Sequence, residues 1–179
     1  CHNEYRRLAL IFMEITLDQL LASREERASF QKELLKSYPG MTLVCLTVIM
    51  PGKIKRNLQS LVVAQAAVTA MVSAFGDSMQ KLVLRDRQTG YEAYLETTLS
   101  NEEAKLKTCN IEDTHPLGRL FDLDVIDIDG IPISRETIGQ GPRKCLICDN
   151  EARYCMRNRT HTLNELSAKI DEMIEAYVR

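Results

Sequence analysis

The chain lacks an excess of either charge: 23 lysines and arginines face 25 aspartates and glutamates, a net charge of -2. With a pI near 6.0, a nucleic-acid binder working through bulk electrostatics is not expected. No apolar run approaches membrane-spanning length and no secretory signal stands out, so no membrane partner and a cytoplasmic setting are expected. Cysteine is sparse for a chain of 179 residues, and of the six only Cys145, Cys148 and Cys155 cluster. That argues against a disulfide framework and for a reducing compartment. What remains is an ordinary globular composition, 45% hydrophobic and 27% charged. The length predicts one domain over 1–179, with the cysteine-rich segment 141–161 and a helix at 163–178 packed on it.

An apolar run at Leu8–Ile15 is too short and irregular to classify. Thr16-Leu-Asp-Gln19 has the form of a capping box and opens a helix running to Lys36, with Leu17, Leu20, Leu21, Ala28 and Leu34 facing inward. Met41–Met50 is apolar and rich in β-branched residues, the pattern of a buried central strand. Asn57 caps a helix to Phe75, with Leu58, Leu61, Val62, Gln65, Val68 and Val72 near one face. Lys81–Arg87 and Tyr91–Thr97 read as two strands, the second carrying Glu92, Tyr94 and Glu96 on one face. A short helix follows at 100–108. Thr162-Leu-Asn-Glu165 caps the last one, whose apolar stripe runs from Leu163 to Tyr177.

The chemistry concentrates at Arg119-Leu-Phe-Asp-Leu-Asp-Val125. In a strand, Asp122 and Asp124 point to one face while Phe121, Leu123 and Val125 point to the other. Two carboxylates held together repel each other unless a cation sits between them, and a hard divalent ion such as magnesium serves that role. The competing reading is an amphipathic strand with an acidic solvent face. Asp129-Gly130 then signals a type I′ hairpin turn between Val125–Ile128 and Ile131–Ser134, with Pro132 confining the return strand to an edge.

Two basic segments accompany this strand. Pro51-Gly-Lys-Ile-Lys-Arg56 lies between a strand and a helix N-terminus, a place suited to phosphate, although it is no Walker loop. Residues 141–161 carry Arg143, Lys144, Arg153, Arg157 and Arg159, whose forks suit phosphate oxygens. The same segment holds Cys145-x2-Cys148-x6-Cys155-x5-His161. That spacing fits a tetrahedral zinc site. It also fits thiols two turns apart on one helix that merely pack, or a redox pair.

Four blocks resemble a known family, the apo-citrate lyase phosphoribosyl-dephospho-CoA transferases, also called holo-citrate-lyase acyl-carrier-protein synthases. They are Leu20–Arg27, Thr47–Lys55, His115–Val125 and Arg143–Cys148 continued through Cys155 to His161. The resemblance implies transfer of a phosphoribosyl-dephospho-CoA group from 2′-(5″-triphosphoribosyl)-3′-dephospho-CoA. The acceptor it implies is a serine of the acyl carrier (gamma) subunit of citrate lyase, and the by-product pyrophosphate. It further implies magnesium on Asp122 and Asp124, with one of the pair or Glu96 as proton acceptor. Arg24, Arg27, Lys53, Lys55, Arg119 and Arg143 become the groups that grip the triphosphate. Zinc on Cys145, Cys148, Cys155 and His161 stays open.

The expected fold is α+β: a mostly antiparallel sheet of about five strands, helices on one face and a cysteine-bearing helical tail. A palm-like nucleotidyltransferase sheet is compatible, although the glycine-serine turn usual before its Asp-x-Asp strand is absent. Two rival functions stand beside the transferase: a zinc-knuckle binding module without catalysis, and a nucleotidyltransferase using ordinary nucleotides.

Overall fold

A computed structural model describes residues 13–179, so most of the apolar run at 8–15 lies outside the described residues. The order of elements is α1 Leu17–Ser37, β1 Thr42–Val48, α2 Leu58–Phe75, β2 Met79–Arg87, β3 Gly90–Thr97, α3 Asn101–Thr114, β4 Phe121–Ile126, α4 Ala152–Asn158 and α5 Leu163–Val178. The fold is α+β, with one antiparallel sheet in the order β2-β3-β1-β4.

Capping boxes start four of the helices. Thr16 with Gln19 and Thr162 with Glu165 do so as expected, and Asn57 caps α2 with Ser60. Ser100 with Glu103 starts α3, which continues to Thr114, well past the expected end near 108.

The sheet has four strands, not five. Asp127 Oδ1 accepts hydrogen bonds from the amides of Asp129 and Ile131, both 2.9 Å, and Gly130 adopts φ +80° while Asp129 does not enter the left-handed region. A type I′ turn needs positive φ at both central residues, so this is a carboxylate-anchored turn instead. Among the described residues, the backbone of the returning segment joins β4 only through the Ile126–Pro132 bridge and the Ile133 N–H to Val125 carbonyl bond. Pro132 has no N–H with which to extend a ladder.

One face of the sheet presents Val44, Leu46, Ala93, Leu95, Phe121, Leu123 and Val125 to the main core, which α2, α3 and α5 complete. Burial on α2 falls on its small residues, Ala64, Ala66 and Ala67, with Val63, Met71 and Phe75. Leu58 and Val72, expected on the inward side, are exposed. An almost wholly apolar helix has no polar face to orient it, and alanines let it approach the sheet closely. This helix also corrects the reading that no apolar run is long enough for a membrane, since by length and composition it passes that test. Most of its buried residues, Val63, Ala66, Ala67, Met71 and Phe75, belong to the main core, the behaviour of a core helix.

Among the described residues, α1 covers the opposite face. Leu34 is buried there against Leu43, Cys45, Tyr94 and Ile126, with Phe30 and Tyr38 alongside. The buried residues of α1 are Ser23 and Leu34, while Leu17, Leu21 and Ala28 are exposed rather than inward. Gly118 sits where the chain enters β4. A Cβ there would stand 2.3 Å from the Glu112 carbonyl oxygen, so only glycine lets α3 close on the strand carrying the aspartates.

Candidate functional site

Beyond its contact with α1, this face of the sheet is acidic. Along β4, Asp122 and Asp124 point to this side, as the period of two requires. Register places Asp122 opposite Thr47, which in turn faces Glu92; Asp124 stands opposite Cys45, which faces Tyr94. Neighbouring strands lie roughly 4.8 Å apart, so Glu92 and Asp122 are about 10 Å apart across β1.

The pair is only partly compensated, with the buried Lys105 opposing the rise at Asp124. Thr47 Oγ1 donates to Asp122 Oδ2 at 3.4 Å, and Arg143 Nη1 stands 3.9 Å from Asp122 Oδ1. Burial, reinforced by the Asp122 charge, pushes the Asp124 carboxyl up to about 6. Burial and then Asp124 also push the Cys45 thiol up. An acidic pair under mutual repulsion, half open to solvent, supplies the hard oxygen donors that magnesium takes.

The basic residues divide into two groups. Arg27 lies on the aspartate face, where Nη1 is 3.6 Å from Glu92 Oε2. Lys55 donates to the Met50 carbonyl at 2.5 Å; burial, with the charge of Arg24 next, lowers its ammonium pKa. Lys53 is not drawn in: it is largely exposed and faces Glu14 at 4.0 Å. Arg56 anchors its loop to β2 through a bidentate contact with Asp86, at 2.6 and 2.8 Å.

Arg119 and Arg143 form the second group, on the side of the cysteine segment. The Arg119 guanidinium donates to the Cys145 carbonyl. Burial and then the nearby Arg143 charge lower its pKa. Arg143 donates to the carbonyls of Gly118 and Arg119 and pairs with Glu112 at 3.3 Å. A cavity of about 610 Å³ opens here, lined by Arg119, Arg143, Lys144 and Arg159 and by apolar walls that include Met50, Leu146 and Leu166.

The chain beyond the cavity does not form one helix from Cys148 to Cys155. Cys148 lies in a loop and α4 starts at Ala152. The thiols are therefore not two turns apart but 3.5 Å apart. Burial raises the Cys145 thiol, yet the amides of Ile147 and Cys148 together with the thiols of Cys155 and Cys148 bring it down to about 7.

A family model described as apo-citrate lyase phosphoribosyl-dephospho-CoA transferase matches residues 15–177. The chain belongs to that family. It is 39% identical over 167 residues to a Streptococcus pyogenes protein named probable apo-citrate lyase phosphoribosyl-dephospho-CoA transferase, covering 91% of this chain and 87% of that one. A Vibrio cholerae protein of the same name is 40% identical over 169 residues, covering 92% and 94%. A Haemophilus influenzae protein, Protein CitXG, is 34% identical over 165 residues; the match covers 90% of this chain and 35% of that protein.

All four blocks that carry the family resemblance border the aspartate face or the Arg119–Arg143 cavity, apart from the exposed turn at Lys53. The residues that sequence reasoning missed are Glu112 and Arg135, which lock this region, and Cys45, which with Thr47 flanks the aspartates on the neighbouring strand. The alternation of β1 implies that Cys45 and Thr47 share a face. Nothing short of the register puts them beside the aspartates.

Glu96 shares the face but stands at its far end. It pairs with Leu43, which pairs with Ile126, two residues beyond Asp124. It is 1% exposed, and neither carboxylate oxygen has a hydrogen-bond partner among the described residues. Burial pushes its carboxyl up to about 7. A raised folded-state pKa means that its contribution is fully present below the ordinary value of 4.5 and is lost as pH rises toward 7. Glu96→Gln should therefore flatten the urea-unfolding free energy across that window and make the chain more stable above it, by a few kcal/mol at about 1.4 per unit. An unchanged pH profile would show that the carboxylate is solvated or paired.

Proposed function

We propose that this chain transfers the 2′-(5″-phosphoribosyl)-3′-dephospho-CoA group from 2′-(5″-triphosphoribosyl)-3′-dephospho-CoA to a serine of the acyl carrier subunit of citrate lyase. The observation that carries the reading is Arg143: it stands 3.9 Å from Asp122 and also lines the cation-rich cavity. Family membership supports it, because the relatives are named for this transfer. The cavity offers guanidinium groups for phosphates and apolar walls for the rest of a large nucleotide-like donor.

In the reaction, the serine oxygen forms a bond to the phosphorus nearest the ribose while the bond from that phosphorus to the pyrophosphate oxygen breaks. The serine proton passes to a carboxylate of the aspartate pair, and pyrophosphate leaves. Magnesium on Asp122 and Asp124, when bound, would neutralise charge on the phosphate oxygens. Arg143 and Arg119, with Lys144 and Arg159 beside them, hold the triphosphate and stabilise the leaving charge. Arg24, Arg27 and Lys55 provide a second basic border on the aspartate side. Glu96 is withdrawn as proton acceptor, since a fully buried carboxylate two residues beyond the pair cannot meet a carrier hydroxyl.

The test is direct. Purified chain, donor, apo-carrier and magnesium are mixed, and the carrier is weighed by intact mass spectrometry. A gain equal to the prosthetic group, with pyrophosphate released, is expected. No gain refutes the function, and a nucleotidyl adduct formed from ATP instead would favour the ordinary-nucleotide reading.

A further inference from the structure

We infer that Cys145, Cys148, Cys155 and His161 form a closed structural zinc site that holds residues 141–161 against the Arg119–Arg143 cavity. The four ligand atoms lie within 4.8 Å of one another, with the Cys148 and Cys155 sulfurs 3.5 Å apart and His161 Nε2 3.4 Å from the Cys148 sulfur. Tetrahedral zinc with ordinary Zn–S and Zn–N bonds needs ligand atoms roughly 3.6–3.8 Å apart, so closure takes only small movements. Three sulfurs and one imidazole are the soft and borderline donors zinc favours. With all four positions supplied by the protein, the centre has no open place for substrate.

The local chain is built for such an ion. Lys144 bridges to Glu151, and the Cys145 amide donates to the Asn150 carbonyl at 2.7 Å, folding Cys145–Asn150 into a knuckle. The Ile147 amide points at the Cys145 sulfur from 3.5 Å, as amides do toward metal-bound thiolates. The short helix α4 then brings in Cys155, and Arg159 in the left-handed region turns the chain so that His161 faces back.

The second observation is what the segment lacks. Between 141 and 161 the only buried residues are Cys145 and Cys155, both of them ligands. Tyr154 and Met156, which apolar packing would use, are exposed. A seven-residue helix is too short to persist alone, and two thiols with a partly buried Leu146 against the main core are little apolar surface to order the segment. A metal crosslink supplies what burial does not. Packing without a metal leaves the approach of His161 unexplained, and a disulfide would use two thiols and abandon the third and the imidazole.

The link to the cavity is the Cys145 carbonyl, which accepts from Arg119, and the Arg143 carbonyl, which accepts from the Ala152 amide at 2.8 Å. The metal thus positions those arginines without touching substrate. The zinc site itself does not depend on the proposed transfer reaction.

The experiment uses the full chain, purified under reducing conditions, with metal content measured by plasma mass spectrometry. Stoichiometric zinc is expected, or stoichiometric uptake when the stripped chain is titrated with zinc. Cys148→Ser and His161→Ala, at half-buried positions, should lower that content to background. If either variant misfolds by circular dichroism, cobalt titration of the unaltered chain decides, since tetrahedral thiolate coordination has its own absorption spectrum. Stripping should also expose Arg153, Arg157 and Arg159 to trypsin, and zinc but not magnesium should restore protection. No zinc uptake, iron in its place, a Cys148–Cys155 disulfide under reducing conditions, or full zinc content in both folded variants would each overturn the proposal.

Discussion

Asp124→Asn is expected to lower carrier modification by roughly a thousandfold while making the folded chain more stable. The two halves of this expectation have one cause. Asp124 is pushed up to about 6, first by burial and then by Asp122, so its charged form is resisted by the fold. Its stabilising contribution is complete below the ordinary value of 3.8 and is lost as pH rises through 6. Removing the charge relieves that cost above pH 6, and it also removes a donor for the cation on which the proposed transfer relies. Asp122→Asn should lower transfer to a similar degree, with a smaller gain in stability because Asp122 is half exposed and has Arg143 nearby. Carrier mass spectrometry gives the first quantity and urea unfolding above pH 6 the second. Near-normal transfer in both variants would remove the pair from the site. A loss of transfer that tracks a loss of stability would make the role structural. Without bound metal, carboxylate charge falls as pH falls through 6, so magnesium affinity should decline in the same direction.

Much of this arrangement was legible from short-range patterns. Thr16 and Thr162 announced their helices because a capping box is complete within four residues. The shared face of Asp122 and Asp124 followed from strand alternation alone. Patterns of this range did not fix what depends on partners distant in the chain. The face of α2 is only partly legible, with Val62 and Val68 on the core but Leu58 and Val72 exposed, because its burial is set by the sheet and by α5 and an almost uniformly apolar helix accepts several orientations. The fifth strand failed because the Asp127 side chain captured two turn amides, a competition between side chain and ladder that a two-residue turn signal does not register. Within the site, Lys53 and Lys55 looked equivalent in sequence. Only the fold sends one to an exposed partner, Glu14, and the other inward to the Met50 carbonyl. The cysteines illustrate the opposite case. Their spacing left packing, zinc and redox chemistry open, and the break between the Cys148 loop and α4 brings the sulfurs together.

Glu112→Ala is expected to cost about 3–5 kcal/mol of folding stability, the range for breaking a buried ion pair by removing one partner. Glu112 is 3% exposed; it accepts two hydrogen bonds and faces a second arginine. Its Oε2 takes the Leu123 amide at 3.0 Å, satisfying the open edge of β4, and stands 3.3 Å from Arg143; its Oε1 takes Arg135 at 2.8 Å. Alanine would leave an edge amide and two partly buried guanidinium groups without this acceptor, and would loosen the segment that Arg135 ties to α3. Asp113 provides the control. It contacts the same Arg135 at 2.9 Å, but its carboxylate is half exposed, so Asp113→Ala should cost no more than about 1 kcal/mol. Glu112→Gln should fall between the two, since an amide oxygen can still cap Leu123 but cannot balance both arginines. Urea unfolding of the three variants measures the order directly. If Glu112→Ala and Asp113→Ala were equally mild, the buried carboxylate would not be what fastens β4, and with it the aspartate pair, to α3.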